Sequence, residues 1–395
     1  MDSQGKQPAQ EALPSRFLNV ATLPFFLSSI FSGFGTGIIF PLITIWQSDA
    51  DIAAHHIGLN YSSSAILTIL LIQQLAMAVS ALGPKRSIIW GFGLSALTAL
   101  TLPFIVSIEI WFVVRPFFGL GIVMAWIARE YWLNLNIDNA FRGKIVGLNA
   151  LLSGSSFALG SAAIVFTGTE TALACWIAVA SLALSGLAAS MLTRTAAEKE
   201  NSAKRRKYSL SLARHCPDIM MAGFCFGFMS AAVNSLLPIF AENAELKRQF
   251  ATLTLSVWAI GRTVTPLAAG YWRDKLGHGA VIRYSSFVLI IASACVAQST
   301  NIMPLMFALL FLNGAACGAL NTAASSALGT VFTRSEIAIG SATFVLFYQL
   351  GAIVGPYLSG WSILVFPIWG LWLAAIVVGA ILAFVAWVFP TSSRG

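Results

Sequence analysis

Ala269-Gly270-Tyr271-Trp272-Arg273-Asp274-Lys275-Leu276-Gly277-His278 is a short polar knot between two long apolar stretches. Gly270 and Gly277 permit close backbone approach and a tight turn, and Asp274 is one of few acids beside the hydrocarbon zone that the flanking stretches imply.

Composition points the same way. Of 395 residues 57% are hydrophobic and 10% are charged, against about 25% charged in a soluble domain. A soluble core could not absorb so many stretches of about 20 apolar residues, each able to cross roughly 30 Å of hydrocarbon. Twelve spans are expected, at 17–46, 59–82, 88–107, 111–133, 145–167, 172–193, 217–241, 250–272, 282–300, 303–331, 338–362 and 367–389. All are expected to be helices, because a helix satisfies its own backbone groups in lipid.

Charge gives the orientation. With both termini in the cytoplasm, 18 Lys and Arg lie on the inner side, two (Lys247, Arg248) outside and three (Arg115, Arg129, Arg262) within spans. The bias fits the positive-inside rule and an inner membrane location. The net charge of +8 is therefore no sign of nucleic-acid binding. The stretch from Thr193 to His215 includes Lys204-Arg205-Arg206-Lys207 and is expected to anchor on anionic lipid headgroups. The first span is expected to act as an uncleaved signal. Five scattered cysteines without a C-x-x-C pair argue against disulfides and a structural zinc site.

The two sides of the basic linker resemble each other. Pro41 matches Pro238 at an offset of 197, Gly83 matches Gly277 at 194, Arg142 matches Arg334 at 192, and Leu159-Gly160 matches Leu350-Gly351 at 191. Four marks in sequence order argue for a duplicated unit. The expected organisation is a tail (1–16), a six-helix bundle (17–193), the linker (194–216), a second bundle (217–389) and a tail (390–395). Alternating-access carriers are commonly built so, with the substrate site between the repeats near the bilayer midplane.

The knot fits G-x-x-x-D-[RK]-x-G-[RKH], which resembles the loop motif of the major facilitator superfamily between its eighth and ninth helices. In span four, Arg115-Pro-Phe-Phe-Gly119-Leu-Gly121 resembles that superfamily's R-x-x-x-G-x-G element. Further along, Glu130-Tyr-Trp-Leu-Asn134 and Arg142-Gly143 are similar to the E-x-W-L-N and R-G elements of the YcaD-like branch. The resemblance implies an all-α fold of twelve transmembrane helices in two pseudo-symmetric halves, and a link between Arg115 and proton coupling. It also implies a conformational latch at Gly270, Asp274, Lys275 and Gly277. The first-half counterpart, Ala76 to Gly83, has Ser80 at the acidic position, so the latch is asymmetric. Span five lacks the G-P pair of drug–proton antiporters, which leaves a multidrug role unsupported.

Few polar groups remain to carry chemistry. Glu130 is the acid placed inside a span and, with Arg115, the candidate for proton coupling. A structural tie to the loop or to Arg142 is the alternative for Glu130, which neighbours Arg129, and a hydrogen-bonding or interfacial role for Arg115. Asn149, Asn234, Arg262, Asn313, Tyr348 and Gln349 are candidates for the cavity, each with helix-to-helix bonding or packing as its alternative. Such a cavity, rich in amides and rings and poor in charge, suits a neutral, zwitterionic or mildly anionic organic solute. Met221, Cys225 and Met229 share one helical face with soft ligands that would favour Cu(I), against the plainer reading of apolar filler. His55-His56 reads as a solvated outer loop.

The expectation is a monomeric secondary transporter of a small organic solute, proton-coupled and exporting, without cofactor, bound metal, enzymatic activity or nucleic-acid partner. Uptake of a nutrient, metal or metal chelate such as a siderophore or copper is the alternative. A non-transporting receptor or scaffold is the alternative of another class.

Overall fold

The computed structural model describes residues 22–105, 107–136, 139–169, 172–192, 214–332 and 337–391, excepting the side chains at 134–135, 139–144, 248–249, 267, 274 and 337–339. Residues 194–213 of the basic linker, Arg334 and the side chains of Arg142 and Asp274 lie outside that set.

Among the described residues there are twelve long α-helices and no strand. They are α1 (Leu23–Asp49), α2 (Ala54–Leu82), α3 (Pro84–Thr101), α4 (Ile108–Asn136), α5 (Asn139–Thr167) and α6 (Leu173–Ser190), then α7 (Pro217–Asn243), α8 (Arg248–Leu276), α9 (His278–Gln298), α10 (Met303–Val331), α11 (Ile337–Val365) and α12 (Gly370–Val388). Eleven are long and apolar enough to cross a membrane. The exception is α8, which carries Arg262, Arg273, Asp274 and Lys275. Helix α2 begins five residues earlier than expected, so His55 and His56 sit in its first turn and not in a loop, with His56 exposed and His55 half-buried. The His55 ring lies 4.0 Å from His56 and 4.6 Å from Trp361 of α11.

Two hydrophobic clusters divide the packing. One, with Phe25, Phe92, Phe118 and Trp132, belongs to α1–α6. The other, with Phe240, Trp258 and Trp372, belongs to α7–α12 but also takes in Ala54, Ile57, Phe157 and Ala158 from α2 and α5. These four residues mark the seam between the halves.

The repeat is visible in backbone geometry. Gly83, between α2 and α3, has φ 78° and ψ 159°; Gly277, between α8 and α9, has φ 81° and ψ 157°. Asp51 (φ 55°) and Glu245 (φ 57°) end α1 and α7 at the same offset of 194. Two marks read from the sequence need correction. Gly160 faces the Phe34 carbonyl and Gly355 the Phe228 carbonyl, so Gly160 corresponds to Gly355 and not to Gly351. By the same register Pro41 and Pro238 are three residues out of step. Shifts of three or four residues preserve a helical face, which is why they pass unnoticed in sequence.

Nothing lies within 4 Å of a Cβ built on Gly277, so only its backbone conformation demands glycine. Gly277→Ala is expected to destabilise the protein by about 1–3 kcal/mol, the cost of a side chain in that Gly-only region. Melting in detergent beside Gly270→Ala, where space is also open and φ is ordinary, checks this.

The hydrogen bonds that join the halves cluster at the face where α1 and α7 end. Thr44 Oγ1 donates to the Ser235 carbonyl at 2.9 Å, Ser48 Oγ to Glu242 Oε2 at 2.8 Å, Ser62 Oγ to the Ile353 carbonyl at 2.6 Å and Ser161 Oγ to the Thr252 carbonyl at 3.0 Å. Backbones also meet there. A methyl added at Gly58 would overlap the Pro356 carbonyl oxygen, and one at Gly360 would crowd the Ala54 carbonyl. Burial of α2 follows the same gradient: Ala54, Ile57, Gly58, Asn60 and Ser62 are buried near its start, and only Thr68, Leu75 and Val79 beyond. The halves are thus sealed at one face and less engaged toward the linker face.

Candidate functional site

Two cavities are stacked between the halves on the unsealed side of that seam. The inner one, of about 160 Å³, is lined by residues of α1, α2, α4, α7, α8 and α11, among them Phe40, Tyr61, Arg115, Asn234, Arg262 and Tyr348. The second, of about 200 Å³ and nearer the linker face, includes Ser32, Thr36, Arg129, Ser153 and again Arg262. Ile122 lines both, seven residues from Arg115 and seven from Arg129 on α4. The two arginines therefore stand about 21 Å apart along one helix face, with Arg262 reaching in from the opposite half.

What surrounds these guanidiniums decides their chemistry. Arg115 is 3% exposed, and its guanidinium carbon lies 4.6 Å from the Tyr61 ring centroid and 5.6 Å from that of Phe40. Arg262 lies 5.0 Å from the Trp258 ring centroid and 5.9 Å from that of Phe157. The ionisable neighbours acting on Arg115 and Arg262 are phenols and a thiol, namely Tyr61, Tyr348 and Cys317. Among the described residues, no carboxylate lines either cavity. Arg129 differs. Its Nη1 donates to Ser29 Oγ at 3.1 Å and Ser32 Oγ at 2.9 Å, its face covers Phe92, and Glu130 is its electrostatic neighbour.

Asn234, Arg262, Tyr348 and Gln349, expected in the cavity, all line the inner one. Asn313 does not. It is fully buried, accepts from Trp258 Nε1 at 3.0 Å and donates to Ser293 Oγ at 2.9 Å, tying α8, α9 and α10 together. Asn149 is half-buried on α5 and lines neither cavity. Glu130 lines neither cavity and sits beside Arg129. Cys225 and Met229 are fully buried in the second hydrophobic cluster with Met221 packed against it, so that stripe is core. At the knot, Lys275 Nζ lies 4.5 Å over the Tyr271 ring, while the Asp274 side chain is outside the described residues.

Sequence reasoning missed Tyr61 and Ser230 in the lining, and Asp218. The last is fully buried at the start of α7, where it accepts from Thr391 N–H at 3.1 Å and from the Thr391 hydroxyl. The reading of a charge-poor cavity also needs correction, since two guanidiniums face one small space. Arg115 was legible as an intramembrane ion. That it shares a cavity with Arg262 was not, because they lie on different halves.

The sequence pattern that defines the Major Facilitator Superfamily matches residues 25–217 and 219–395, which is nearly the whole chain in two consecutive parts. The chain belongs to the major facilitator superfamily. It is similar to the uncharacterized MFS-type transporter YfkF of Bacillus subtilis (strain 168), with 23% identity over 340 residues, 84% of this chain and 85% of that protein. It is also similar to the uncharacterized MFS-type transporter YcaD of Escherichia fergusonii, with 21% identity over 320 residues, 80% of this chain and 81% of that one. Among solved structures, a point mutant of the nucleoside transporter NupG superposes with a TM-score of 0.79 over 93% of this chain and 99% of that one. NupG itself gives 0.75 over 94% and 98%, and both share 16% identity with this chain. That likeness shows the fold. As a member of this superfamily the protein is a multi-pass secondary transporter of small solutes.

Proposed function

We propose that this transporter carries a small organic anion, held between Arg115 of one half and Arg262 of the other and moved by alternating access. The observation that carries this reading is the pair of guanidiniums lining one cavity with no carboxylate among its described lining residues. An ion out of water costs several kcal/mol unless paired, and the missing partner is most simply the solute. One arginine from each half also lets a single anionic group bridge both, so that binding favours their approach.

With the orientation that the basic residues favour, the sealed face is external and the cavities open to the cytoplasm. Loading from that side suits export from the cell across the inner membrane. A proton would then act through the Arg129–Glu130 pair rather than inside the solute cavity, or travel on the solute's own carboxyl.

Matched carboxylic acids, their methyl esters and the corresponding amines test the reading on purified protein at constant ionic strength. Carboxylates are expected to raise the melting temperature, since a ligand at 100 times its Kd adds about 2.7 kcal/mol to stability. Esters and amines of the same size are expected to leave it unchanged. Equal stabilisation by ester and acid would overturn the anionic solute. Flux of a stabilising acid in proteoliposomes, with and without an imposed proton gradient, tests transport and its coupling.

A further inference from the structure

On its α7 wall the inner cavity presents two buried polar atoms without a hydrogen-bond partner. Ser230 and Asn234 stand one turn apart on α7, 3% and 7% exposed, and both line this cavity. Ser230 Oγ and Asn234 Oδ1 are buried without a hydrogen-bond partner. The usual outlet for a buried hydroxyl in a helix is the carbonyl one turn back, as Ser235 uses at Ala231 O and Thr36 at Ser32 O. Ser230 does not use it. Asn234 is already hydrogen-bonded to Tyr61 through its side chain, so what stays open on this wall is its Oδ1 and the Ser230 hydroxyl, and a buried polar atom left open is costly.

The remaining lining sets size and shape. Phe40, Tyr61, Phe118 and Tyr348 provide aromatic walls. The volume of about 160 Å³ is close to the roughly 150 Å³ that accommodates benzene in an apolar cavity. Taking the anionic solute of the preceding subsection as given, we infer that it is a single-ring carboxylate bearing a hydroxyl or amino donor on the ring. The carboxylate meets Arg115 and Arg262, the ring lies among the aromatic side chains, and the donor reaches Asn234 Oδ1 and Ser230 Oγ. Serine hydroxyl and amide oxygen both accept, so either donor chemistry suits them.

The test compares benzoate, 3- and 4-hydroxybenzoate, 3- and 4-aminobenzoate and methyl 4-hydroxybenzoate by calorimetry on the full-length protein in detergent. At least one donor-bearing acid is expected to bind about tenfold more tightly than benzoate, the size of one neutral hydrogen bond. In Asn234→Leu, with Ser230→Ala as a second variant should the first fail to fold, that ratio is expected to fall toward one. If benzoate and the substituted acids bind equally, or if the ratio survives in the variants, the donor assignment is overturned while the anionic reading stands. If the methyl ester binds as well as its acid, the anionic reading fails instead. If none of the acids binds, the single-ring class is overturned, and the acids, esters and amines of the earlier series decide the fate of the charge.

Discussion

Arg115→Met is expected to raise the melting temperature of the ligand-free protein while weakening carboxylate binding about 10- to 150-fold. The two effects share one cause. Arg115 is 3% exposed and its guanidinium lies against the rings of Tyr61 and Phe40, with no carboxylate among the described cavity lining. Replacing a buried charge by an apolar side chain of similar length removes a desolvation cost, and such exchanges are commonly neutral or stabilising. Methionine keeps the length and fills the space between the rings. The Ser64 hydroxyl bond goes to the Arg115 backbone carbonyl at 2.9 Å and survives the change. What is lost is a charge-assisted hydrogen bond to the solute, about 1.5–3 kcal/mol, which is the fold-change stated. Melting curves without ligand and calorimetry with a binding carboxylate read both quantities. A lower melting temperature with unchanged affinity would make Arg115 a structural residue. Arg262→Met is expected to act in the same direction, and the double variant to lose measurable binding.

Gly58→Val should hold the sealed face open. Gly58 packs directly on the Pro356 carbonyl, so a Cβ there meets backbone, which cannot swing aside as a side chain could. The seam is otherwise continuous, with the Ser62 hydroxyl bonded to Ile353 O one turn on and Gly360 against Ala54. Overpacking of this kind costs about 1–3 kcal/mol, which shifts the ratio of open to sealed forms about 5- to 150-fold. Spin labels at His56 and Lys247, exposed positions in opposite halves on that face, would report a longer distance in the variant. Transport should slow as well, because alternating access needs both faces to close. An unchanged distance distribution would mean that α2 and α11 slide rather than separate.

Much of the fold could be read before any coordinates. The twelve helices, the 6 + 6 division and the glycine at the end of α8 follow from apolar length, charge bias and the knot, and these are local properties of the chain. The register of the repeat was harder. Gly351 and Gly355 both face α7, against Phe224 O and Phe228 O, so a slip of one turn leaves the same face forward. Asn313 and Asn234 look alike in sequence, each an amide in an apolar helix. Only packing decides that Asn313 spends both ends of its amide on Trp258 and Ser293, while Asn234 bonds Tyr61 and keeps its Oδ1 open. Tyr61 gave no signal, because a tyrosine near a helix start reads as an interfacial anchor unless the neighbouring helices are known.

The sequence by itself determined that this chain is a membrane-embedded helical transporter built from two like halves, since each long apolar stretch must satisfy its own backbone in lipid and the knot at Gly277 recurs at Gly83 in the other half. Tertiary structure alone decided that Arg115 and Arg262 share one cavity without an acid in its described lining, and that Ser230 Oγ and Asn234 Oδ1 line the same cavity with no hydrogen-bond partner. Helix formation is fixed by residues a few places apart, whereas a binding site depends on the face and depth at which helices from opposite halves meet.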